Sequence, residues 1–172
     1  MITGENRRAQ ILQMLRTQLQ PLSGTALAKA FGVSRQVIVQ DIALMRAENH
    51  NILSTNKGYL YRPPEATDPQ PKRVFFVRHS SEQVLDEFLA ITELGGKVLD
   101  VAVEHELYGY IRVDLLIETT QDARDFSEKL LNCRDNPLKV LTDDCHYHTV
   151  AAPSERLLDL IQRDLEEKGF CL

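Results

Sequence analysis

Three residues near the end of the chain, His146-Tyr147-His148, carry the sharpest chemical signal in the sequence. On a β-strand, residues two apart project from the same face with Cα atoms roughly 7 Å apart, so these two imidazoles can converge on one ion. Cys145 and Tyr147 would point the other way, which makes the Cys145 thiol a poor co-ligand. His79 ends a β-rich run, Val74-Phe75-Phe76-Val77, and a strand there lying beside the last one brings a third imidazole near the pair. A carboxylate is available from the following helix: Glu87 is one choice, Glu82 and Asp86 are alternatives. Three imidazoles and one carboxylate suit borderline divalent ions such as Ni, Zn or Co, with remaining positions open to water or a small ligand. The plain alternative is two histidines hydrogen-bonded on a wet sheet face. His105 and Tyr108 sit in Glu104-His105-Glu106-Leu107-Tyr108-Gly109, a turn that either lines a pocket beside the ion or is simply polar. His50 reads as structural or surface.

A second set of residues has the types and spacing of a DNA reader. Gly24 to Ala47 has the pattern of a helix-turn-helix: an apolar seam at Leu27, Ala28 and Ala30, a turn at Gly32, Val33 plugging the corner, and Ser34 capping the next helix. Ile38, Ile42 and Met45 turn one stripe of that helix inward. Ser34, Arg35, Gln36, Val37 and Gln40 are left on the free face near its N-terminus. In the major groove Gln pairs with adenine, Arg with guanine, and Val meets a thymine methyl. Upstream, Ile11, Met14 and Leu15 have helical spacing; downstream, residues 51–54 and 59–61 read as two strands around a Gly-containing turn. Three helices and a hairpin make a winged helix. Its wing tip offers Asn56 and Lys57 to phosphates, with Arg7, Arg8, Lys29 and Arg46 as further backbone contacts.

Charge supports one reader and one partner domain. The net charge of −5 hides a split: residues 1–63 hold 8 Lys and Arg against 3 Asp and Glu, whereas residues 64–172 hold 12 against 22. A basic module tied to an acidic one fits phosphate binding by the first alone. Three cysteines without CxxC spacing argue for a reducing cytoplasm and against a disulfide framework. The chain shows no run of about 18 apolar residues and no charged-then-apolar start, so neither a membrane span nor a signal peptide is predicted.

The elements that must position these groups follow from periodicity. The reading is α+β: a winged helix over 1–63, a Pro-rich linker over 64–72, and a second domain over 73–172. In the second domain, residues 73–78, 97–103, 110–117 and 144–150 read as strands. Residues 81–94, 120–132 and 154–168 read as helices. The order βαββαβα predicts a ferredoxin-like, split βαβ sheet with an extra helix.

With Val33-Ser34-Arg35-Gln36-Val37-Ile38-Val39-Gln40-Asp41-Ile42 in front, and Arg78-His79, Glu104-His105 to Tyr108-Gly109 and His146-Tyr147-His148 behind, the chain resembles the niacin-responsive repressors. These join a biotin-repressor-like winged helix to a three-histidine (3H) domain. The resemblance implies a repressor of NAD biosynthesis and niacin uptake whose operator binding improves with nicotinic acid. It also implies nickel or zinc held by His79, Glu87, His146 and His148, with His105 and Tyr108 near the effector. Two recognition helices reaching successive major grooves must sit roughly 34 Å apart, so a homodimer formed through the acidic domain is predicted. A regulator that senses the metal itself is the second expectation. An enzyme is a third class, against which no nucleophile elbow, P-loop or Gly-rich cofactor motif is present.

Overall fold

In the computed structural model of the protein, which describes residues 2–63 and 69–172, the three N-terminal helices each start where a side-chain oxygen can cap them. Thr3 accepts from the Asn6 amide at the start of α1 (Gly4–Thr17), Ser23 from Ala26 in α2 (Gly24–Phe31), and Ser34 from Val37 in α3 (Arg35–Ala47). Gly32, at φ 63°, closes α2 in the left-handed region, and its amide bonds back to Ala28 and Lys29. The hairpin β1 (Ile52–Thr55) and β2 (Gly58–Tyr61) forms the wing. Gly58 is required there twice over: its φ is 132°, and a Cβ would lie 2.4 Å from the Leu22 carbonyl oxygen, because Leu22 bridges Tyr59. Ile11, Leu15, Leu27, Ala28, Ile38, Ile42, Met45, Ile52 and Tyr59 form the core of this unit. Ala30, expected in the helix seam, is exposed instead.

The chain divides into its second unit between residues 67 and 68. Of the expected linker, residues 64–68 lie outside the described residues, and Lys72 already opens β3 (Lys72–Arg78). A 3-10 turn (Ser81–Gln83) leads into α4 (Val84–Thr92), followed by β4 (Lys97–His105), β5 (Gly109–Ile117) and α5 (Thr120–Asn132). A second 3-10 turn (Leu138–Thr142) precedes β6 (Cys145–Ala151) and α6 (Glu155–Glu167). Thr119 caps α5, its hydroxyl accepting from the Asp122 amide.

The element order is βαββαβα and the class α+β, with strand order β3-β6-β4-β5 and every neighbouring pair antiparallel. Each βαβ unit is split by one inserted strand: β6 lies between β3 and β4, and β4 between β5 and β6. A ferredoxin-like sheet centres its first and third strands; this sheet centres its last and second. The difference follows from which strand of the β4–β5 hairpin can be buried on both sides. β4 carries Val98, Ala102 and Val103 inward, whereas Arg112 and Val113 leave β5 suited to an edge.

All three helices contribute to one core with Phe75, Val77, Val98, Leu115, Ile117 and Val150 of the sheet. Val74, Phe76 and Tyr110 are exposed on the strands, and Tyr147 packs its ring 4.7 Å from Phe76 and 6.2 Å from Tyr110. Among the described residues no helix is long and apolar enough to cross a membrane.

Candidate functional site

Strand alternation and strand order together assemble the histidine cluster. Phe75 pairs with His148 and Val77 with His146, so both imidazoles leave β6 on the core side, while Cys145 takes no part. His79 follows the end of β3, one step beyond the Arg78–Cys145 pair. Glu87 lies on α4 in the apolar stripe of Val84, Phe88 and Ile91, whereas Glu82 and Asp86 are exposed. The side chains of His79, Glu87, His146 and His148 are all buried, and one ligand atom from each lies within 4.8 Å of the others. Donors around an ion at zinc-like bond lengths stand roughly 3 to 4 Å apart, so only a small contraction separates this cluster from a coordination shell. Phe88 and Phe170 wall it with rings 5.4 Å from His148 and 5.6 Å from His79.

Each imidazole is oriented by its other nitrogen. His79 Nδ1 donates to the Ser80 carbonyl at 2.8 Å, His146 Nδ1 to Asp144 at 2.8 Å, and His148 Nδ1 to Asp100 at 2.6 Å. A proton on Nδ1 leaves the Nε2 lone pair facing the cluster, which is the arrangement that prepares a histidine to ligate. His79 Nε2 then lies 2.7 Å from Glu87 Oε2, and His148 Nε2 3.5 Å from the same oxygen. Yet His79 Nε2 and both Glu87 oxygens are buried without a hydrogen bond. Lone pairs brought that close in a dry site call for a cation between them.

The electrostatics of Glu87 and His146 agree with that reading, whereas Glu87 draws His148 toward its protonated form, so an ion would bind there by displacing that proton. Burial by itself would raise the Glu87 carboxyl, but the charge of His148 first, and then the close approach of the His148 and His79 rings, hold it well below the usual carboxylate range. Burial, then the charge of His148, push His146 down to about 3, so it is neutral and available at pH 7. For His148 burial opposes charging, and the Glu87 carboxylate outweighs it and raises the imidazole. An N3O donor set of this kind suits Ni, Zn or Co.

His105 and Tyr108 are not part of this convergence. They sit in the β4–β5 turn with rings stacked at 4.9 Å; Tyr108 is exposed, and His105 Nδ1 accepts the Leu107 and Tyr108 amides.

In the first unit, Ser34, Arg35, Gln36 and Gln40 are exposed at the N-terminal end of α3, and Val37 is half-buried. Ser34 also spends an oxygen lone pair on its cap. Lys57 is half-buried at the wing tip. Three of the expected phosphate contacts engage their own fold, Arg8 among them at 3.6 Å from Asp41 Oδ1. Arg7 grips buried Asp41 through contacts of 2.6 and 3.2 Å, and Arg46 donates to Ile52 O and Ser54 Oγ, tying the wing to α3. Tyr61 carries Arg16 over its ring at 5.0 Å. Sequence reasoning missed Asp41, although a carboxylate between Ile38 and Ile42 on an apolar stripe is a readable sign of a buried partner.

Comparison with known proteins agrees with both halves. Residues 7–60 match the family described as the HTH domain, and residues 72–172 that described as the 3H domain. A protein of Thermotoga maritima named "Probable transcription repressor NiaR" is 34% identical over 98% of this chain and 94% of its own length. The "Transcription repressor NadR" of Bacillus subtilis is 37% identical over 99% of this chain and 96% of its own length. Built from an HTH reader followed by a four-stranded unit with a buried His3Glu cluster, the chain belongs to the family of 3H-domain transcription repressors.

Proposed function

We propose that the protein is a cytoplasmic, non-enzymatic repressor of genes for NAD biosynthesis and niacin uptake, with nicotinic acid as co-repressor at a nickel or zinc centre. The observation that carries the receiving half is the meeting of four buried donors, three of whose polar atoms have no hydrogen bond. His79, Glu87, His146 and His148 would hold the ion, which supplies a Lewis-acidic position to a carboxylate. The stacked His105 and Tyr108 form an aromatic platform of the kind a planar ring packs against. Arg35, Gln36, Val37 and Gln40, with Ser34 and Lys57, would meet operator DNA.

A homodimer on a pseudo-palindromic operator completes this reading. The exposed sheet residues Val74, Phe76 and Tyr110 around Tyr147 support pairing through the acidic unit, since aromatic side chains are enriched at such interfaces. The effector would act through its different affinities for dimers that can and cannot span successive grooves.

Isothermal titration of nicotinic acid into the purified chain, with and without a chelator, tests the proposal. Binding that disappears with the chelator is predicted; binding that persists unchanged refutes the role of the metal. The depth of the four donors favours a second reading, in which the ion itself is the signal. Operator affinity unchanged when nicotinate is added to metal-loaded protein would select it.

A further inference from the structure

We infer that Lys139 is a positioning residue of the metal centre, clasping the ends of β3 and β6 so that His79 and His146 keep the spacing a divalent ion needs. The inference rests on the metal reading above. Lys139 lies in the 3-10 turn before β6 and is 4% exposed, a rare depth for a lysine. Its Nζ donates to the carbonyl oxygen of His79 and stands 3.4 Å from Asp144 Oδ1.

Those two partners bear on two different ligands. His79 is itself a member of the cluster, and the Asp144 carbonyl accepts the Nδ1 proton of His146. The β3–β6 ladder ends at Arg78–Cys145, so both partners lie just beyond it, where strand pairing no longer sets their separation. One ammonium replaces the missing rung. The rest of the loop is tied to the same residue: the Lys139 carbonyl accepts the Asp144 amide at 3.0 Å, and the Thr142 hydroxyl lies 3.2 Å from it. Asp143 and Asp144, at φ 51° and 64°, are held in the left-handed region that this return requires.

A positive charge beside a cation site should, by charge alone, weaken metal binding. Removing that charge should therefore tighten binding unless the lysine's contacts matter more. The sign of the effect separates positioning from simple electrostatics, and neither is read from stability.

The test is zinc affinity by competition with a chromophoric chelator, for wild type and Lys139→Met, together with the visible spectrum of the Co(II)-loaded chains. Affinity is predicted to fall about tenfold to a hundredfold, the range for losing a residue that orients a metal ligand. The Co(II) bands are predicted to change shape. Lys139→Gln keeps an uncharged amide N–H2 donor and should lie between wild type and Lys139→Met, which preserves the test if the methionine variant does not fold. Equal or tighter zinc binding by either variant overturns the clasp, even if the melting temperature drops. A wild-type chain that holds no ion overturns the metal reading and the clasp together.

Discussion

Replacing Glu87 by glutamine keeps the shape of the side chain and removes the sole anionic donor of the cluster, so it isolates the contribution of charge. In the wild type a free ion at a hundred times its dissociation constant would stabilise the native unit by about 2.7 kcal/mol. For a domain of roughly 100 residues, about 1 kcal/mol moves the melting temperature by roughly 4–8 °C. Metal should thus raise the midpoint of the second unit by roughly 10–20 °C. Glu87 is 0% exposed and its Oε2 lies 2.7 and 3.5 Å from two of the imidazoles, so its loss should cost at least as much as loss of an orienting residue. Taking a hundredfold loss, the same ion concentration would then stabilise by only about 0.4 kcal/mol, a shift of roughly 2–3 °C. Differential scanning calorimetry with and without Ni or Zn reads this directly. Glu82→Gln and Asp86→Asn, both at exposed positions, should retain the full shift. A full shift in Glu87→Gln, or its loss in either exposed variant, would refute the assignment.

Arg35→Ala should cost operator binding about 1–3 kcal/mol and flatten the difference between operator and scrambled duplex, measured by fluorescence anisotropy, with metal content unchanged. Asp41→Ala should lower the melting temperature of the winged helix, because Arg7 and Arg8 converge on this carboxylate from α1; the midpoint of the second unit should not move. Iodoacetamide at pH 8 should modify exposed Cys133 well before Cys171, whose thiol is pushed up to about 11 by burial and then by Glu166 and Glu87; mass spectrometry of a timed digest checks the order.

The parts of this molecule legible in the sequence are those governed by short periods. His146 and His148 share a face because strand side chains alternate, and the stripe of Ile38, Ile42 and Met45 faces inward because helical ones recur every third or fourth residue. The residues alone left Glu82 and Asp86 open beside Glu87, although the same helical period separates them, since Glu87 alone falls among Val84, Phe88 and Ile91. Asp41 carries an identical signature. Long-range pairing was harder to read. Nothing local states that β6 inserts between β3 and β4, and nothing marks Lys139 for burial, because its partners are a backbone carbonyl 60 residues away and a loop aspartate. The contacts that Arg7 and Arg46 make within their own fold were illegible for a related reason: a basic residue on a reader domain is equally suited to a phosphate or to a carboxylate and carbonyls of its own fold.

The most direct test joins the two halves: operator affinity of the full chain, metal-loaded and metal-stripped, each titrated with nicotinic acid. Tighter operator binding on adding nicotinate to the metal-loaded protein, and no response from the stripped protein or from His146→Ala, is the predicted result. An equal response to nicotinate with the metal removed would contradict the proposed role of the His3Glu cluster in repression.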